Sequence, residues 1–292
     1  MPADPSAFAA HRRLLFDLAY RMLGRVAEAE DAVQETWLRW QKQDATAIDS
    51  PRAWLVATTT RLCIDQLRSA QRARTDYYGV WLPEPLVENP APSPAESAAL
   101  ADSLTMAFML MLERLTPDER AVFLLREVFA YDYADIARIV EKSEAACRQI
   151  VSRAKSHLGR GDTPPAPPSE RAQRIVQQFL AATASGNVDE LMALLTDDAT
   201  LYSDGGGRVV AAGRPIHTAD HISRFFAGIR AKEGPATQAD LRFVPINGRP
   251  GALLFVAGQL QNAYSFDLAG DRIRAIYVVR NPEKLRHLPG PN

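Results

Sequence analysis

Apolar residues recur every three or four positions through the first half of the chain, and every second position in much of its last third. The change of period predicts helices first and strands later. Residues 6–75 read as nearly continuous helix. In LLFDLAYRML, Leu15, Leu18, Ala19 and Met22 share one face, and Gly24 ends the run. AEAEDAVQETWLRWQ resumes it, with acidic residues in the first turn, where the helix dipole favours them. Val33, Trp37, Leu38 and Trp40 supply its apolar surface. DSPRAWLVATTTRLCIDQLRSAQRAR starts with Asp49 or Ser50 as cap and Pro51 in the first turn, and it finishes in Arg68, Arg72 and Arg74.

Residues 76–98 break the pattern. GVWLPEPLVENPAPSPAES is rich in proline, which lacks a backbone N–H and disfavours helix in the residue before it. The stretch reads as a linker, yet it carries Trp81 and Leu82, which gain free energy by leaving water. They are expected to pack either on the C-terminal part or against the first helical block. A second helical block spans 99–160. It opens with ALADSLTMAFMLMLERL, read as one core helix, and continues with TPDERAVFLLREVF, capped by Thr116 with Pro117 at the first helical position.

Residues 131–158, YDYADIARIVEKSEAACRQIVSRAKSHL, read as a helix-turn-helix. Ala134, Ile136, Ala137, Ile139 and Val140 form a short helix with a narrow apolar face. Glu141 and Lys142 make the turn, and Ser143 caps the next helix. There Ala146, Ile150 and Ala154 form the expected inward stripe, with Cys147 and Val151 beside it. Arg148, Gln149, Ser152, Arg153 and Lys155 are left outward. Arg offers two hydrogen bonds to guanine, Gln two to adenine, and Ser serves either, so this outward set suits a major groove.

Residues 161–168 are a proline-rich spacer without aromatics. After it, 169–195 predict two helices. The strand-like runs are ATLYSD, GRVVAA, LRFVPI, GALLFVAG, QNAYSFDL and RIRAIYVVR, interrupted by a helix near PIHTADHISRFFAGIRAK. This is an α+β pattern with a curved antiparallel sheet. The expected organisation is therefore multidomain: two all-α blocks, 1–75 and 99–160, and an α+β domain over 169–292.

Net charge is −1 from 34 basic and 35 acidic residues, which argues against a wholesale polyanion binder and leaves room for a local basic face. Cys63 and Cys147 lie far apart in helical patterns and read as reduced packing residues. No apolar run approaches a membrane span, so no membrane partner and a cytoplasmic location are expected. No P-loop, dinucleotide loop or metal-ligand spacing occurs, and no cofactor is expected.

With these residues in view, 6–160 resembles the extracytoplasmic-function sigma factors of bacterial RNA polymerase. AEDAVQETWLRW resembles the region 2 helix that binds the polymerase clamp, SPRAWLVATTTRLCIDQLRSAQRAR the promoter-melting region, and SEAACRQIVSRAK the region 4 recognition helix. The last third is similar to the SnoaL-like domain, a cone-shaped sheet with helices. WLPEP (81–85), DGGGR (204–208) and NPEKL (281–285) match motifs of the sigma factor J type. The resemblance implies core RNA polymerase and promoter DNA as partners. It places Asp31, Gln34, Glu35 and Trp37 on polymerase, and the loop 44–50 ahead of Trp54 around an unstacked base. It places Arg61, Asp65 and Arg68 near the −10 element, and the outward residues of the second helix on the −35 element. It also implies regulation in cis. Trp81, Leu82, Pro83, Glu84 and Pro85 would dock on the C-terminal domain. Asp204, Gly205, Gly206 and Gly207 would form the facing turn, unless the glycine run is a simple hairpin turn. Asn281 and Pro282 would complete the contact.

Two other readings remain open at this level. A repressor that senses a ligand and ignores polymerase would need the recognition helix alone. A SnoaL-like domain also admits a small-molecule ligand or an enzymatic pocket, for which Asp204, His217, His221, Tyr202, Tyr264 and Tyr277 are the candidate polar groups.

Overall fold

The computed structural model describes residues 4–44, 48–73, 77, 79–87, 100, 102–158, 169–233 and 239–290. The chain forms two compact units. One comprises Met1–Asp76, Ala95–Leu104 and Phe108–Gly161; the other comprises Tyr77–Pro94, Thr105–Ala107 and Asp162–Asn292. Among the described residues, no helix is long and apolar enough to cross a membrane.

The first unit is helical. Helix α1 (Pro5–Leu23) starts at Asp4, whose carboxylate accepts from the Ser6 N–H at 2.8 Å, and stops at Gly24. Gly24 takes a left-handed conformation (φ 72°) and returns its N–H to the Tyr20 carbonyl at 2.7 Å. Helix α2 (Val26–Trp40) and helix α3 (Pro51–Ala73) pack on α1. Their shared core holds Leu15, Leu18, Met22, Val33, Leu55 and Cys63, all essentially out of contact with solvent. Trp40 closes one end, donating its ring N–H to the Asp4 carbonyl and lying 5.4 Å from Trp54. Ser50, not Asp49, caps α3 by accepting from the Ala53 N–H at 3.3 Å. Burial raises the Cys63 thiol far above its ordinary range, which suits an inert packing residue.

The single helix expected from 99 to 115 is broken. Helix α4 covers only Met106–Leu112, and turns precede it at 103–105. The cause is Arg21. Its buried guanidinium takes the Ser103 hydroxyl at 2.8 Å and the Leu100 carbonyl at 2.8 Å. Ser103 in turn donates to the same carbonyl at 2.6 Å. Satisfying a buried cation outweighs one more helical turn.

Helix α5 (Pro117–Phe123) begins with a capping box in which Thr116 and Glu119 satisfy each other's backbone N–H. It widens into a π-helical turn over Leu124–Val128. Helix α6 (Tyr133–Val140) and helix α7 (Glu144–Leu158) are the helix-turn-helix, with Glu141 left-handed between them (φ 56°). Ser143 caps α7 on the Ala146 N–H at 3.2 Å, as expected. The inward stripe of α7 differs by one position. Cys147, Val151 and Ala154 are buried, while Ala146 and Ile150 are half-buried at its edge.

The second unit contains helices α8 (Ser169–Ser185) and α9 (Val188–Leu194), strand β1 (Leu195–Asp204), the short strand β2 (Ile216–His217) and helix α10 (Ala219–Glu233). Strands β3 (Ala239–Ile246), β4 (Arg249–Val256), β5 (Gln259–Ala269) and β6 (Arg272–Val279) follow, then the single turn α11 (Pro282–Leu285). The sheet order is β2-β1-β6-β5-β4-β3. It is mixed and not wholly antiparallel, because β1 runs parallel to β6 (Leu201 beside Ile276). Strand β2, helix α10 and strands β3–β5 lie between them in the chain, which gives the long crossover that a parallel pair requires. GRVVAA, expected as a strand, is a turn and an extended loop. The Gly205 carbonyl accepts from the Arg208 and Val209 N–H groups, and Gly206 and Gly207 have positive φ.

One face of the sheet is filled by a single apolar cluster. Phe179 of α8 meets Phe226 of α10 and Phe266 of β5 edge-on, at 5.5 and 5.7 Å. Leu201, Ile222, Ile276 and Val278 complete its centre.

Candidate functional site: the Asp204 hub and the helix-turn-helix surface

Asp204 is fully buried at the end of β1, a position no carboxylate occupies without partners. It has four. Oδ1 accepts from the Tyr77 hydroxyl at 2.5 Å and the Gly206 N–H at 2.9 Å. Oδ2 accepts from the Leu82 N–H at 2.8 Å and from the Lys284 ammonium at 2.7 Å. Its backbone carbonyl accepts from the N–H groups of Arg280 and Asn281. The sequence segments WLPEP, DGGGR and NPEKL therefore meet at one carboxylate.

Lys284 is the counterpart. Its side chain is only 3% exposed; Nζ also donates to the Leu82 carbonyl and lies 4.2 Å from the centre of the Trp81 ring and 5.2 Å from that of Tyr77. A desolvated ammonium between two aromatic faces and a carboxylate is held by cation–π attraction and a charge-assisted hydrogen bond together. Trp81 thus packs on Lys284, while Leu82, Pro83, Glu84 and Pro85 are buried behind it. Asn281 caps α11 through the Glu283 N–H and reaches the Tyr77 hydroxyl at 3.4 Å. Pro282 is exposed and makes the first turn of α11.

The linker has two further anchors. The Pro85 carbonyl lies 2.7 Å from His287 Nε2. Leu86 exchanges a pair of bonds with Asn247, 2.9 Å from its N–H to the Asn side-chain oxygen and 2.9 Å from the Asn N–H to its carbonyl. Asn247 and Gly248 both have positive φ at the β3–β4 hairpin, the conformation a two-residue hairpin needs, and Asn adopts it at low cost. Asn-Gly is a turn dipeptide by its chemistry; its second role, reading the linker backbone, has no local signature. Lys284 lay inside NPEKL, but nothing in its spacing shows that its ammonium turns inward.

Gly206 has φ 60°, and a Cβ there would collide with the Asn281 amide. Gly206→Ala is expected to displace Asn281 and loosen Tyr77, raising the rate at which a protease cuts near residues 77–87. Unchanged cleavage would contradict this role. Gly207 is exposed and forms the outer corner of the turn.

The pocket candidates do not converge. Asp204 belongs to the linker hub, while His217 and His221 are exposed near the start of α10. Tyr202 stacks on Tyr277 at 5.3 Å, and Tyr277 donates to the buried Asp267 at 3.2 Å. Tyr264 is bonded to Asn262 and stacks on Phe266, on the apolar face. Burial raises the Asp267 carboxyl, with the nearby Arg249 opposing, and burial likewise raises the Tyr277 phenol.

In the helical unit, Arg148, Gln149, Ser152, Arg153 and Lys155 are all exposed on α7. Arg148 pairs with Glu144 at 2.8 Å and lies 4.8 Å over the Tyr133 ring; Lys155 pairs with Glu127 at 2.8 Å. On α2, Asp31 and Gln34 are exposed and Glu35 pairs with Arg39; Trp37 is half-buried against Phe8 at 4.9 Å, with Leu38 open beside it. On α3, Asp65 is exposed and pairs with Arg68 at 3.8 Å. Arg61 and Arg68 also reach the helix-turn-helix block. Arg61 donates to the carbonyls of Ile139 (2.9 Å) and Arg138 (3.0 Å) and pairs with Glu141 at 3.2 Å. Arg68 and Lys142 share the Asp118 carboxylate, at 2.7 and 2.9 Å. Residues 45–47 of the expected base-receiving loop, the side chain of Arg72, and Arg74 lie outside the described residues.

Residues 7–73 match the Sigma-70 region 2 family and residues 105–158 the Sigma-70, region 4 family. The chain is 38% identical to the ECF RNA polymerase sigma factor SigJ of Mycobacterium tuberculosis H37Rv, over 98% of this chain and 94% of that one. It is 32% identical to the probable ECF RNA polymerase sigma factor SigI of the same organism, over 97% and 95% of the two chains. The crystal structure of M. tuberculosis SigJ superposes with a TM-score of 0.75 at 34% identity, covering 97% of this chain and 98% of that one. Regions 2 and 4 in order, on a chain that matches these relatives from end to end, establish that this protein belongs to the extracytoplasmic-function RNA polymerase sigma factors and is a transcription initiation factor.

Proposed function

We propose that this sigma factor directs core RNA polymerase to its promoters under control of its own C-terminal domain, exerted through the linker. The observation that carries the reading is the Asp204–Lys284 pair, which ties residues 77–86 to the sheet domain. Helix α2 presents Asp31, Gln34, Glu35 and Trp37 to polymerase. Their acidic character suits a basic protein surface and repels DNA. Helix α7 presents Arg148, Gln149, Ser152, Arg153 and Lys155 to the −35 element, and α3 presents Arg61, Asp65 and Arg68 to the −10 region. The domain boundaries fall at the linker 76–98 and the spacer 161–168. Holding the linker sets how far regions 2 and 4 can separate, so the sheet domain acts on initiation without a separate regulator. The convergence of all three sequence motifs on one buried carboxylate favours this role over a catalytic one.

The test is run-off transcription with core polymerase and the full-length Trp81→Ala variant. Removing the ring face from Lys284 weakens docking by about 0.5–2 kcal/mol. Transcript yield is expected to change while affinity for polymerase does not. Equal yield from both proteins, with the linker demonstrably loosened, would reject the regulatory reading.

A further inference from the structure

Four basic groups that suit DNA are engaged inside the helical unit. Arg61 and Arg68 project from α3. Lys142 lies in the turn of the helix-turn-helix, and Arg138 sits in the last turn of α6, paired with Asp135. Arg61 caps the carbonyl end of α6, where the helix dipole favours a cation. Arg68 and Lys142 come from elements more than seventy residues apart in the chain and point at the two oxygens of one carboxylate, Asp118. Two cations around an anion that stands on a third element is the arrangement a backbone phosphate would receive.

The geometry points to Asp118 as an internal stand-in for a promoter phosphate: it holds Arg68 and Lys142 together, keeps α3 against the helix-turn-helix, and yields both cations to DNA when the two part. This assigns Lys142 to the DNA backbone, a role its place in the turn did not suggest. The inference rests on the reading of α3 as promoter-facing, and it adds a reason why the free protein withholds that face. Burial alone would raise the Asp118 carboxyl; Lys142 and Arg68 outweigh it and hold it below the ordinary range. The closed contact is therefore complete at neutral pH, and weakens only as pH falls through that lowered value.

The contact is a network of half-exposed groups, so its worth lies in what it occupies more than in stability. Removing the carboxylate charge frees two cations for phosphate, and each adds about 0.9 to the slope of log affinity against log salt. The experiment measures binding of full-length protein to a labelled DNA duplex of mixed sequence over a salt series, without polymerase. Asp118→Asn is expected to bind about 5-fold or more tightly at low salt, the scale of an ordinary coupling between sites, with a steeper salt slope. Lys142→Gln breaks the same contact but removes a cation, and is expected to fall short of Asp118→Asn in both. Asp118→Ser keeps a residue suited to the first turn of α5 and replaces Asp118→Asn if that variant does not fold.

An unchanged slope in a folded Asp118 variant overturns the proposal, and so do two variants that steepen equally. Initiation by Arg61→Ala and Arg68→Ala with core polymerase separates the two levels. If both variants initiate normally, the promoter-facing reading falls and the inference with it. If they initiate poorly while the Asp118→Asn slope is unchanged, the stand-in role alone is lost.

Discussion

Replacing Asp204 by asparagine is expected to free residues 77–86 from the sheet domain and to lower that unit's stability by about 3–5 kcal/mol, the usual cost of removing one partner from a buried ion pair. Asp204 is fully buried and the Lys284 side chain only 3% exposed, so the ammonium left behind has no route to water without moving the linker. The amide can still accept from Tyr77 or Leu82, but it cannot neutralise Lys284. The expected sequence is therefore release of the linker, which lets Lys284 reach solvent. Lys284→Met removes the charge from the other side and leaves Asp204 with three uncharged donors, so a smaller loss is expected. Joint replacement of Asp204 by Asn and Lys284 by Met removes both buried charges while keeping an acceptor for Tyr77 and Leu82, and is expected to cost less than Asp204→Asn alone. Chemical denaturation of variants that keep Trp81 but carry Phe at Trp37, Trp40 and Trp54, followed by Trp81 fluorescence, distinguishes the three. Equal stability of Asp204→Asn and the parent would show that the pair is dispensable.

The second large effect lies in the core. Phe179→Ala should destabilise the second unit by about 3–5 kcal/mol, because the ring is fully buried between Phe226 and Phe266 and its removal leaves a void the sheet cannot close. The same substitution tests the pocket reading. A cone lined for a ligand would tolerate a smaller side chain, whereas a filled core would not. Calorimetry of the full chain is expected to show the transition of the sheet domain lowered.

Much of this was legible before any coordinates. The helix-turn-helix, its Ser143 cap and the Thr116 cap follow from local chemistry, because a cap is decided by residues two or three positions apart. The outward set on α7 was legible for the same reason, since a helix face follows from its period. What could not be read were contacts made by long side chains across the fold. Arg21 breaks a helix eighty residues away by taking the Leu100 carbonyl. Val209 and Val210 are a β-branched pair that reads like part of a strand, yet the three glycines before them turn the chain, and Val210 ends 86% exposed. The parallel pairing of β1 with β6 is a matter of topology, which period alone does not specify. In the linker hub, Trp81 and Asp204 belong to segments whose pairing the sequence suggests, while the ammonium that joins them sits in an ordinary surface-like helix turn. Asn247 and His287 carried no signal at all beyond a turn dipeptide and a lone histidine.

The most direct test of the regulatory account is initiation by full-length Asp204→Asn with core polymerase, read as transcript per promoter, with protease cutting near residues 77–87 recorded on the same sample. The account predicts faster cutting and a transcript yield that departs from the parent. Faster cutting with unchanged yield would contradict it, because the linker would then be free and initiation indifferent to it.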